Sequence, residues 1–239
     1  MTADQTAAIY ALLGGDDNAD TQQNITQYFA TVPAADVDVA LRAQANCFAG
    51  IEDSQAQWDQ ERGAIEQEVA SDLSNPEYKF VDRLNTQMFA GTPYAHDPLG
   101  TKDSFDKTTG AMLGDFYRTW YSPSNMILIV VGDVDPGATL AKIRTLYGSI
   151  LSHPVPPPPA IHLQPFQSTS FTLTSNLPYV LGFIAWRLPG TDSPDYAAIN
   201  ILADVLASQR ADLYGMVPAG KALGAEFGLA ESYRKASVD

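Results

Sequence analysis

Between Pro154 and Pro159, five of six residues are proline. Each proline fixes its own φ, removes a backbone donor and pushes the preceding residue out of the helical region. No helix and no central strand can run through such a stretch, so whatever this chain folds into must be built on either side of it. Residues 152–167 therefore read as a stiff, extended linker. They divide the 239 residues into a long first part, 1–151, and a shorter second part, 168–239.

The first part alternates helical and extended patterns. Residues 4–13 read as a helix closed by Gly14-Gly15. Asp16 to Thr21, D-D-N-A-D-T, reads as polar loop, and Ile25 to Val32 as a strand. Helices are expected at about 33–49, 54–73, 77–89, 104–120 and 136–147, with Ser54 as an N-cap and Asn75-Pro76 as a stop. Met126 to Val131, M-I-L-I-V-V, is apolar throughout and reads as a central strand covered on both faces. After the prolines the texture repeats. Strands are expected at 168–174 and 180–188, a helix at 194–208, a shorter helix near 211–217, and a strand at 225–230. Together these give an α+β fold: two domains of one type, each a mixed or antiparallel sheet with helices packed on one side. The expectation is that the first is truncated at its start and the second at its end.

The net charge of −14 excludes a basic stripe able to replace phosphate counterions, and equally an anionic membrane surface as partner. Nucleic acid and membrane are thus not expected partners. Cys47 is the sole cysteine, which rules out an internal disulfide and a cysteine-based zinc site; its setting suggests a small buried residue. The opening residues lack the basic and apolar regions of a secretion signal. Of the three histidines, His96, His153 and His162, no two share a helix face. A nucleophile elbow, a phosphate loop and a dinucleotide fingerprint are all absent from the sequence.

One helical segment, Glu61 to Glu68, reads E-R-G-A-I-E-Q-E. Seven residues are two turns less about 20°, so Glu61 and Glu68 share a face, while Trp58, Ile65 and Val69 form an apolar row that can hold the helix against a core. Spacing alone leaves both carboxylates as ordinary solvated side chains.

Their company changes that. G-G-D-D-N-A-D-T (14–21), E-R-G-A-I-E-Q-E and F-Y-R-T-W-Y-S-P-S-N-M-I-L-I-V-V-G-D-V (116–134) occur in an order and spacing that resemble the pitrilysin or insulinase-type metallopeptidases, the inverzincins, which include mitochondrial processing peptidase. S-Q-R-A-D-L-Y (208–214) continues the likeness more weakly. The resemblance implies that Glu68 matches the third zinc ligand and Glu61 a supporting carboxylate beside it. It also implies that Asn18 and Ala19 open an edge strand that takes peptide substrate in extended form. The family's H-x-x-E-H motif, with two histidine ligands and the glutamate base, would fall roughly 75 residues before Glu68, ahead of Met1, and is absent here. Positions matching the family's substrate-binding arginine and tyrosine carry Pro218 and Ala225.

The expectation is then a fragment of a zinc-dependent metalloendopeptidase, a hydrolase of extended peptides, with zinc in the parent and none held by this chain, which alone is inactive. The alternative is a non-catalytic relative acting as partner subunit or peptide-binding module. Partners in either case are peptide or protein in extended form and a homologous domain of the same or another chain. The compartment is left open between cytoplasm and, for an exported parent, periplasm.

Overall fold

In the computed structural model, the described residues are 3–51, 54–158, 160–165, 167–191, 193–229 and 237–238. Glu52 and Asp53, expected to break the chain ahead of the third helix, lie outside them, as does Ala230 at the end of the strand expected in the tail. The chain divides into two compact units, one of residues 1–79 and 96–159, the other of residues 80–95 and 160–239.

The first unit opens with α1 (Ala3–Leu13), which ends at Gly14, φ 65°. Gly15 follows because an added Cβ there would stand 2.5 Å from the Thr31 carbonyl oxygen. The chain then forms an antiparallel hairpin, β1 (Asp16–Thr21) with β2 (Thr26–Thr31). The stretch D-D-N-A-D-T is thus a strand and not the expected loop. A ladder pairing all six residues with β2 outweighs the weak strand propensity of Asp and Asn.

Next comes α2 (Val37–Ala49), which buries Ala40, Leu41, Ala43 and Ala45 and packs against α7 (Pro136–Tyr147). Asp38 on α2 pairs with Lys142 on α7. α3 (Gln55–Ser74) starts at Ser54, whose hydroxyl accepts the Gln57 N–H at 3.3 Å. α4 (Pro76–Met88) follows at once, beginning in the first unit and continuing into the second.

The helix expected over 104–120 is two helices, α5 (Lys102–Phe105) and α6 (Gly110–Trp120). Thr109 caps α6, its hydroxyl accepting the Met112 N–H, and a side chain that bonds the backbone this way starts a helix instead of continuing one. Gly110 and Gly114 are buried on α6, where it packs on α3. The Gln55 side-chain oxygen accepts the Gly110 N–H at 3.1 Å, tying the starts of the two helices together. Past α6, the 122–125 turn is closed by Ser122, which is fully buried.

M-I-L-I-V-V does not pair as a strand among the described residues, and Ile127, Ile129 and Val131 are 76–90% exposed. An apolar segment becomes a strand only when a neighbour accepts its ladder, and none is described beside it.

In the second unit, Phe80 on α4 stacks on Phe171 at 4.7 Å and on Phe183 at 5.2 Å, and the Arg83 guanidinium sits 4.7 Å over Phe171. Met88 and Tyr94 are buried beside this cluster's helix end. β3 (His162–Leu163) pairs in parallel with β4 (Ser237–Val238), and α8 (Tyr196–Ala207) buries Ala203. The segments 168–174 and 180–188, expected as strands, carry no ladder, and the helix expected near 211–217 is a single 3-10 turn, Tyr214–Met216. The chain is therefore helical with a small antiparallel sheet in its first unit. Among the described residues no helix is long and apolar enough to cross a membrane.

Candidate functional site

α3 is pinned by one side. Trp58, 6% exposed, meets the Phe105 ring edge-on at 5.4 Å, and Arg62 lies 5.6 Å over the same ring. Arg62 also bonds Glu66 at 2.8 Å and Asp106 at 3.2 Å, while Lys102 bonds Asp106 at 2.8 Å. These two cations hold the Asp106 carboxyl below its ordinary range, Lys102 most of all. Ile65 and Val69 are half-buried along the same row. Glu61 and Glu68 lie roughly 60–80° round the helix from it and are both exposed. The helix and the shared face are as the sequence indicated.

Asn18 and Ala19 sit at the middle of β1, opposite Phe29 and Tyr28. The Asn18 side chain accepts the neighbouring Ala19 N–H at 2.8 Å. One edge of β1 is taken by β2; among the described residues nothing pairs with the other. Cross-strand partners in an antiparallel pair project to one face. Asp17, Ala19, Tyr28 and Ala30 therefore share one face of the hairpin, and Asp16, Asn18, Asp20 and Phe29 the other.

Beside the hairpin, bordered by Asp17, Asn18, Tyr28 and Phe29 from both of its faces, lies a cavity of about 380 Å³ that spacing along the sequence did not indicate. Its walls are aromatic and come from α1, β2, α2 and α6: Tyr10, Tyr28, Phe48, Phe116, Tyr117 and Tyr121. Tyr28 and Phe48 meet edge-to-face at 5.2 Å, and Tyr117 stacks on Tyr121 at 5.2 Å. The Tyr28 and Tyr121 hydroxyls bond at 2.6 Å, and the Tyr117 hydroxyl donates to the Phe48 carbonyl at 2.8 Å. Loss of solvent, then the bond to Tyr121, pushes the Tyr28 hydroxyl well above its ordinary range. Asp17 and Asn18 of β1 border the cavity; Glu61 and Glu68 do not. Only the i, i+4 spacing of Tyr117 and Tyr121 hinted at this cluster, because its other rings come from separate elements.

Tyr10, 3% exposed, is the deepest of these rings. Burial raises its pKa first, with the Asp17 and Cys47 charges adding to it and the Gln44 side chain offsetting part.

The fit for zinc is poor. Among the described residues no three His, Cys, Asp or Glu side chains gather closely enough to hold a metal ion. His96 offers its backbone carbonyl to Gln23, His153 is engaged through its backbone by Ser122, and His162 lies in the other unit on β3. Glu68 is thus a single exposed carboxylate, and one carboxylate does not hold zinc against water.

Two family models match the chain in order. The one described as "Insulinase (Peptidase family M16)" matches residues 1–102, and "Peptidase M16 inactive domain" matches residues 107–223. An uncharacterized zinc protease of Streptomyces coelicolor is 29% identical over 144 residues, 60% of this chain and 31% of that protein. The probable mitochondrial-processing peptidase subunit beta of Arabidopsis thaliana is 23% identical over 217 residues, 90% of this chain and 40% of that protein. Among solved structures, a protease from Helicobacter pylori superposes with a TM-score of 0.75 at 20% identity, over 92% of this chain and 55% of that one. The chain spans about a third of the Streptomyces protein's length.

Proposed function

The chain belongs to the pitrilysin/insulinase-type (M16) peptidase family, and from that footing we propose that it forms part of a zinc-dependent metalloendopeptidase acting on extended peptides. The observation that carries this reading is the pair of family matches, which run in order over most of the chain and span both α3 and β1.

Each site residue has a part in the proposal. Glu68 supplies one carboxylate oxygen to a metal centre whose remaining ligands come from outside this chain. Glu61, about two turns away on the same face of α3, orients or tunes that carboxylate. β1 receives substrate as an added strand on its second edge, with Asn18 and Ala19 at the centre of the contact. By itself the chain hydrolyses nothing.

The test joins this chain to an H-x-x-E-H segment ahead of it in one polypeptide and follows cleavage of a quenched, extended reporter peptide. Cleavage that a chelator stops, and that Glu68→Gln removes, supports the proposal. Cleavage unaffected by Glu68→Gln refutes the assignment of that residue.

A second reading is favoured by the lack, among the described residues, of three grouped metal-ligating side chains: a non-catalytic family member that pairs with a homologous domain or binds peptide on β1. Stoichiometric zinc in the joined polypeptide, lost in Glu68→Gln, would sink it.

A further inference from the structure

We propose that Pro154 to Pro158 form a docking motif for a partner domain whose groove is lined by Trp and Tyr rings and takes a neutral polyproline II helix. The inference goes beyond the peptidase reading and does not depend on it.

The backbone of this run is set by its sequence. Four prolines each fix φ at about −65°, and Val155, Pro156 and Pro157, each ahead of a proline, are barred from the helical region. Polyproline II is the regular conformation left to it. The segment carries neither helix nor ladder; Pro154, Pro156, Pro157 and Pro158 are exposed, and Val155 is half-buried. At about three residues per turn, Pro154 and Pro157 share one edge and Pro156 stands on another, so two edges are open to a partner. At about 3.1 Å per residue the run spans about 15 Å, enough for two successive pockets. Its start is held firmly. The Ser122 hydroxyl accepts the His153 N–H at 2.9 Å and donates to the His153 carbonyl at 2.8 Å, and His153 Nδ1 donates to the Pro154 carbonyl at 3.2 Å. A helix already formed and mounted this way loses little conformational entropy when it docks.

The partner's chemistry follows from what the run offers. Proline has no N–H, so the motif presents ring faces and carbonyl acceptors. Among the described residues no donor bonds the carbonyls of 155–158. A matching groove supplies flat apolar surfaces for the rings and N–H or O–H donors for the carbonyls, and Trp and Tyr side chains combine the two. Charge narrows the choice further. Between Arg144 and Arg187 the sequence contains no Lys, Arg, Asp or Glu. A proline-binding groove that adds a carboxylate pocket for an arginine of its ligand would bury that carboxylate without a counter-charge here. A neutral groove leaves no charge unpaired, and it takes the run by the preformed helix alone.

The probes are two isolated domains: a WW domain that takes neutral proline-rich peptides, and an SH3 domain whose ligands need a flanking arginine. Each is isotope-labelled and titrated with the full chain up to about 1 mM, and the NMR shifts of its groove Trp and Tyr are followed. The WW domain is expected to bind with a Kd on the order of 100 μM, and the SH3 domain at least about fivefold more weakly. Pro156→Ala and Pro157→Ala together keep the residues exposed but free the backbone, and should weaken WW binding by about tenfold or more. Pro136→Ala removes a proline outside the run, at the start of α7, and should leave binding within about twofold of the unaltered chain. Circular dichroism of both variants verifies the fold, which exposed positions leave intact. Absence of WW binding at the highest concentration overturns the proposal. Undiminished binding by the doubly substituted chain also overturns it, because the prolines are then not the contact. SH3 binding as tight as WW binding overturns the neutral groove.

Discussion

Ser122 is 0% exposed, and its hydroxyl joins the turn after α6 to the residue that leads into the prolines. It accepts the His153 N–H at 2.9 Å and donates to the His153 carbonyl at 2.8 Å. The Ser124 hydroxyl also reaches that carbonyl at 2.8 Å. Ser122→Ala therefore leaves the carbonyl with a donor but strips from the N–H its only partner among the described residues. An abandoned buried donor costs about 1–3 kcal/mol, and this one is partly buried, so about 2 kcal/mol is expected. In urea, with a slope of about 2 kcal/mol/M, the midpoint of the first unit should fall by about 1 M at unchanged slope. The fluorescence of Trp58 and Trp120 reports it. Ser124→Ala, which removes a donor the carbonyl can spare, should cost less than about 1 kcal/mol. A Ser122→Ala shift below about 0.5 kcal/mol, or equal costs for the two variants, would refute this account of how residues 122 and 153 are joined.

Two further outcomes follow from the same packing. Trp58→Ala should destabilise the first unit by about 3–4 kcal/mol in the same urea assay, since it removes the anchor that α3 shares with Phe105. Trp58→Phe should cost much less, because among the described residues the Trp58 Nε1 has no hydrogen-bond partner to lose. Burial pushes the Tyr147 phenol up to about 12, so the folded chain keeps a proton that the unfolded chain releases near 10. Stability should be flat below pH 10 and fall between about pH 10 and 12, and Tyr147→Phe should remove its share of that fall in pH-dependent melting, leaving the shares of the raised Tyr10, Tyr28 and Tyr117 phenols.

Much of the helical content was legible because local signals set it. Ser54 and Asn75-Pro76 bracket α3 almost to the residue, and Pro136 opens α7 as its position suggests. Strands were harder, because a strand is defined by its neighbour. β1 looked like a loop until β2 paired with it, and M-I-L-I-V-V looked like a central strand yet has no described neighbour. Of the candidate site, the shared face of Glu61 and Glu68 could be read from helical spacing. The aromatic cavity could not, since Tyr10, Tyr28, Phe48 and Tyr121 meet only through tertiary packing.

Glu68 is exposed, so Glu68→Gln should change stability by less than about 0.5 kcal/mol and leave metal content as a clean readout. The direct measurement is zinc per polypeptide, by mass spectrometry of the metal, for the 239-residue chain and for the polypeptide that joins it to an H-x-x-E-H segment. The account predicts background zinc for the chain alone and about one zinc for the joined polypeptide, lost in Glu68→Gln and kept in Glu66→Gln. Zinc that survives Glu68→Gln, or stoichiometric zinc on the chain alone, would contradict it.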